Sequence, residues 1–159
     1  MLCVHPLLFF MAATHISLSL AVVTTIPKDY SLARGTLFAG AMSSNIPIIG
    51  PFIAAPTIAL GTFLTFQTGK VKFVFDDEAM EIFLVRNGEN KSRENFVVGG
   101  KNRWKFDTFT EWGFLPSKGV PILMYFKETQ TKPEGQFHLF PVIMNGKTLY
   151  DTLVEKVGL

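Results

Sequence analysis

Charge is almost absent from the first 69 residues of this 159-residue chain. Only Lys28, Asp29 and Arg34 ionise there, and every other acid and base lies from Lys70 onward. A domain solvated by water carries charge on about a quarter of its residues, so the two parts answer to different solvents, lipid first and water second. Cysteine is scarcer still. Cys3 is the single one, which excludes an intramolecular disulfide and any Cys-rich metal site. The three histidines are His5 and His15 in an apolar stretch and His138 in a strand pattern, and none has the spacing of a metal pair. A formal net charge of +2 is too small for a nucleic-acid binder working by bulk electrostatics.

The sequence also lacks a constellation that could carry chemistry. No nucleophile stands beside an identifiable base. Gly146-Lys147-Thr148 resembles the end of a phosphate-binding loop, but Pro141 occupies the position where that loop needs glycine. A strand connection explains Gly99-Gly100 better than nucleotide binding does. Asn90-Lys91-Ser92 fits the glycosylation acceptor pattern at a frequency chance supplies, and Asp76-Asp77-Glu78 reads as a solvated turn. The expectation is a non-enzymatic protein without metal or cofactor.

What is present is apolar surface: 48% of residues are hydrophobic and 16 are Phe. Residues 35–69 contain no charged side chain, too long a run for one crossing of a ~30 Å hydrocarbon core and enough for two short ones. The run breaks at Ile46-Pro47-Ile48-Ile49-Gly50-Pro51, where two prolines disfavour continuous helix. A transmembrane helical hairpin over 28–69 is expected, with Pro56 kinking its second helix. A shallow re-entrant hairpin or a buried soluble pair would share the pattern. Lys28 and Arg34 before the hairpin, and Lys70 and Lys72 after it, fall on one side, the cytoplasmic or stromal side by the positive-inside tendency. Residues 1–27 form either a first membrane segment or an apolar leader.

From Lys70 the period shortens to two. Val71, Phe73 and Phe75 share a face, Met80 to Arg86 is a second run, and Asn87-Gly88 is a turn dipeptide. Further strands are expected over Glu94 to Val98, Asn102 to Asp107, Thr110 to Phe114, Pro121 to Lys127 and Gln136 to Ile143. A closing helix follows, with a capping-box variant at Thr148 to Asp151, an apolar face of Leu149, Leu153, Val154 and Val157, and Gly158 at its end. This order predicts that 70–159 form a small antiparallel β-barrel or sandwich of pleckstrin-homology type with a C-terminal helix, an α+β fold overall. Core candidates are Trp104, Phe106, Trp112, Phe126, Phe137 and Leu139. His138 is expected to be a solvent-facing or satisfied strand residue. In a strand, Lys101, Arg103 and Lys105 point one way, a candidate contact for anionic lipid or an acidic partner.

Several segments resemble a family of cyanobacterial and plastid membrane proteins classed as a domain of unknown function, family 3119. They are Asp29-Tyr30, the proline-broken hairpin, Gln67-Thr-Gly-Lys-Val-Lys-Phe-Val-Phe-Asp-Asp-Glu-Ala79, and Glu94-Asn-Phe-Val-Val-Gly-Gly-Lys-Asn-Arg-Trp-Lys-Phe-Asp107. Pro121-Ile-Leu-Met-Tyr-Phe-Lys-Glu-Thr-Gln130 and His138-Leu-Phe-Pro-Val-Ile143 are similar too. The resemblance implies a thylakoid location with the β domain on the stromal side, and a scaffold or assembly role in a photosynthetic complex. Membrane lipid and a protein of that complex would be the partners, with no nucleic acid. A membrane-tethered lipid- or ligand-binding module is the alternative. The resemblance transfers no catalytic residues, and Met1 to Ala21 has no counterpart in it.

Overall fold

The structure is a computed structural model and describes residues 23–86, 88–92, 102–131 and 135–158. It is a mixed α+β fold of two antiparallel sheets and three helices. A two-residue strand β1 (Thr24–Thr25) leads into α1 (Ser31–Ser43) and α2 (Gly50–Lys70). Strands β2 (Val71–Phe75), β3 (Ala79–Arg86), β4 (Glu89–Ser92) and β5 (Arg103–Lys105) follow, then a 3-10 turn over Phe106–Thr108. The chain ends with β6 (Phe109–Ser117), β7 (Val120–Glu128), β8 (Gln136–Pro141) and α3 (Gly146–Lys156).

The first sheet runs β1-β2-β3-β4, with β5 also on β3, and the second runs β6-β7-β8. Alternation sets their inner faces. Phe73 and Phe75 of β2 are buried, as are Met124 and Phe126 of β7. The sheets meet through aromatic rings, Trp104 of β5 lying 5.2 Å from Phe126, and Phe73 lying 6.1 Å from Phe140 of β8. Leu149 and Leu153 of α3 complete this core together with Ile26, Ala33 and Leu64. The sheets remain two separate ladders among the described residues, so the structure shows an α+β sandwich-like core and not a closed barrel.

Several expectations change. Thr24 and Thr25, assigned from sequence to the leader, pair with Phe75 and Val74, and Ile26 is buried in the core. The folded unit therefore begins before the helices. Phe137 and Leu139 are half exposed, at 50% and 46%, because β8 aligns His138 opposite Phe126 and turns the odd positions outward. Trp104 and Phe126 are fully internal, while Phe106 and Trp112 pack against the core only in part. Val154 is exposed, since Leu149 and Leu153 already fill the contact of α3. The cap of α3 is Asn145, whose side chain accepts from the Thr148 amide at 2.9 Å, three residues ahead of the expected box. The strand expected over Glu94 to Val98 lies outside the described residues, and β4 is the strand that follows the turn at Gly88.

Candidate functional site

The helix pair is where the chain departs furthest from a water-solvated protein. α1 and α2 run antiparallel, Leu37 meeting Gly61, Gly40 meeting Ile58, and Ser43 meeting Gly50. Their approach depends on glycine. A methyl group built on Gly40 would lie 2.7 Å from Ile58 Cγ1, and one on Gly61 would lie 2.7 Å from Leu37 Cγ. Only the base of the pair enters the core, through Ala33 and Leu64.

Beyond that base the outer surface is apolar. Phe38, Met42, Ile49, Ile53 and Phe63 are exposed, with Ile48 at 88% and Phe52 at 78%. Soluble monomers scatter such residues singly and seldom cover two helices with them. The threonine hydroxyls of the pair are bonded along their own helices. Every threonine of the two helices donates its hydroxyl to the carbonyl four residues earlier: Thr36 to Leu32, Thr57 to Ile53, Thr62 to Ile58, Thr65 to Gly61 and Thr68 to Leu64. Hydroxyls bonded in this way leave no donor that needs water. α2 is, among the described residues, the one helix long and apolar enough to cross a membrane by length and composition.

Basic and aromatic groups ring the base. The Lys28 ammonium donates to the Gly69 carbonyl, and Lys70 lies 5.9 Å from the centroid of the exposed Phe66 ring. Arg34 is exposed beside Ser31, and the Asp29 carboxylate accepts from the Ser31 amide at 2.8 Å. Hydrogen bonds from Ser31 hold the Asp29 carboxyl below the usual carboxylate range.

The three bases expected on one strand face have different surroundings. Lys101 lies outside the described residues. Arg103 donates to Asp76 and, at 3.4 Å, to Glu81, its direct cross-strand neighbour. Burial opposes ionisation of Asp76, but Arg103 and the amides of Glu78 and Ala79 outweigh it and keep its pKa low. Lys105 is exposed on a cleft shared with Asp77, Glu78, Asp107 and Lys156. The acidic turn thus supplies the partner of Arg103, a pairing that strand register alone creates.

A second polar pair is internal. Glu128 is wholly buried and its Oε1 lies 2.8 Å from His138 Nε2, while its Oε2 accepts from the Thr131 amide at 2.8 Å. Burial pushes the Glu128 carboxyl up, and the bonds from Thr131, His138 and the Gln130 amide overcome that push and hold it below its ordinary value. Phe126 stacks on the His138 ring at 4.7 Å, and Trp104 meets it edge-on at 5.0 Å. This environment satisfies the pair and buries both side chains. Sequence could have flagged the bond only by treating His138 as inward-facing. Among the described residues, no group of three His, Cys, Asp or Glu side chains could hold a metal ion.

Two antiparallel sheets, a closing helix and an apolar helix pair rooted in the same core define a small α+β protein. The chain belongs to the family described as "Protein of unknown function (DUF3119)", whose profile matches residues 24–158. That match begins at β1 and covers both the helix pair and the sheets. No curated protein and no solved structure matches the chain.

Proposed function

We propose that this protein is a non-enzymatic membrane-tethered scaffold. The helix pair inserts in lipid, and the two-sheet module stands in the water beside it as an interaction domain. One observation carries the reading: two packed helices expose phenylalanine and isoleucine along their outer surface while every threonine hydroxyl bonds to its own helix. In water that surface has no favourable solvent. At about 25 cal/mol per Å² of apolar area withdrawn from water, lipid rewards its burial strongly.

The basic collar of Lys28, Arg34 and Lys70 suits anionic headgroups. The finer parts of the reading are a pleckstrin-homology-like module, a thylakoid location with that module on the stromal side, and a role in assembling or stabilising a photosynthetic complex. Their support is the resemblance described above and the order of strands and closing helix. Docking of a basic strand on lipid is the weaker alternative, since Arg103 is already held by Asp76 and Glu81.

Alkaline carbonate extraction of membranes containing the full chain tests the tether. The protein is expected to stay in the pellet and to be released by detergent. Release by carbonate as a soluble species would remove the tether and the scaffold reading with it. Native electrophoresis after mild solubilisation tests the scaffold part, with co-migration in a larger complex expected and a free monomer throughout counting against it.

A further inference from the structure

Resting on that membrane reading, we infer that the helix pair is a re-entrant anchor. It enters the bilayer from the side of the β module, turns inside the hydrocarbon, and returns without reaching the far surface. Length is the first argument. α1 has 13 residues, about 20 Å at 1.5 Å per residue, against a hydrocarbon core of ~30 Å. α2 has 21 residues, but its last turns belong to the base, where Leu64 and Thr68 are buried. From Leu64 to Gly50 the free part of α2 rises about 21 Å. Both arms stop well short of a crossing.

The turn between them supplies the second argument. A loop that emerged into water on the far side would be expected to offer groups for water to solvate. Here no charge occurs between Arg34 and Lys70, and the tip presents Ile46, Ile48, Ile49 and Phe52. Most of its hydrogen-bond donors are used internally. The Ser43 hydroxyl donates to the Ala39 carbonyl at 2.8 Å, the Ser44 hydroxyl to Ala41 at 2.6 Å, and the Asn45 amide to Met42 at 3.3 Å. The backbone follows the same rule: the amide of Ile46 bonds to Ser43, that of Ile49 to Pro47 and that of Gly50 to Ile46. Pro47 and Pro51 have no amide hydrogen to satisfy. Irregular backbone survives at membrane depth only where its hydrogen bonds are met from within the protein.

The base completes the geometry. Tyr30, Phe66 and Lys70 lie where the pair joins the module, a combination suited to the headgroup layer. Measured from Tyr30 along α1 or from Phe66 along α2, the tip lies about 20–24 Å deep, past the bilayer midplane and short of the far surface.

The test is site-specific labelling in sealed vesicles of phosphatidylcholine and phosphatidylglycerol, using the full chain with Cys3→Ser. Ser44→Cys reports the turn, and Glu155→Cys on α3 reports the outward-facing module. A membrane-impermeant maleimide is supplied outside in one arm and trapped inside in the other. Ser44→Cys should resist both and label fully after detergent is added, while Glu155→Cys labels from outside. Labelling of Ser44→Cys by the trapped reagent would mean a full crossing, which overturns the re-entrant anchor and leaves the membrane tether intact. Labelling from outside at the rate of Glu155→Cys would mean the pair lies in water, which overturns the tether itself.

Discussion

Ile48 has φ of +67°, a conformation that β-branched side chains rarely adopt and that costs about 1–2 kcal/mol. In water glycine or asparagine would suit this position better, and the side chain at 88% exposure would gain nothing there. In the membrane-tethered reading proposed above, lipid gives the isoleucine a reason to remain. Ile48→Gly should therefore raise the thermal midpoint in detergent by the few degrees that about 1 kcal/mol represents, while weakening retention on vesicles. An unchanged midpoint would show that the turn stores no such strain. The internal carboxylate behaves differently. Because the Glu128 pKa is depressed in the folded state, its contribution to stability is complete above the unfolded value of about 4.5 and is lost as pH falls through the folded one. Glu128→Gln should be less stable than the parent at pH 7, and should lose less stability than the parent between pH 5 and pH 2 in denaturant titrations. At this scale the sequence was legible where one face is clearly apolar, as at Phe73 and Phe75. It misled at Phe137 and Leu139, because Gln136 and His138 make the inward face of β8 look polar and the odd positions carry the more apolar pattern. Register opposite the buried Phe126 turns His138 inward, and the carboxylate of Glu128, ten residues away on the neighbouring strand, satisfies it there.

Among elements, the helix pair depends on close approach more than on amphipathic patterning. Gly61→Ala would set a methyl 2.7 Å from Leu37 Cγ and 2.9 Å from its amide nitrogen, and the backbone cannot yield as a side chain would. Destabilisation of about 1–3 kcal/mol is expected, read as a lower thermal midpoint in detergent. Gly35→Ala is the control, because nothing lies within 4 Å of its added carbon. It should leave the midpoint unchanged or raise it through better helix propensity. Equal losses at both positions would show that the pair does not pack through Gly61. The break between the helices and the order of most strands were readable from prolines, glycines and alternation. Their pairing was less so. β5 lies against β3 by contacts 22–26 residues apart, and no local signal joins Arg103 to Asp76 and Glu81.

For the whole molecule, the division at Lys70 between an apolar and an aqueous part is the feature that composition expressed most directly. The structure modifies it in one respect: the aqueous core reaches back across the boundary to collect Ile26, Ala33 and Leu64. The two parts are therefore one folding unit. Leu64→Ala, at the base of the pair, should lower the stability of the β module by about 2–5 kcal/mol, followed through the fluorescence of Trp104, buried among the module's aromatic rings. A module signal indifferent to that substitution would show the parts to be independent.

α2 ends at Lys70 and β2 begins at Val71, with no linker between them, and on the other side the Lys28–Met144 bridge ties the entry to α1 against the segment preceding α3. Fastened at both feet, the helix pair has no linker to act as a hinge among the described residues. Such a protein would hold its module at a constant tilt and height above the lipid, so a binding partner would meet it in one pose instead of sweeping through many.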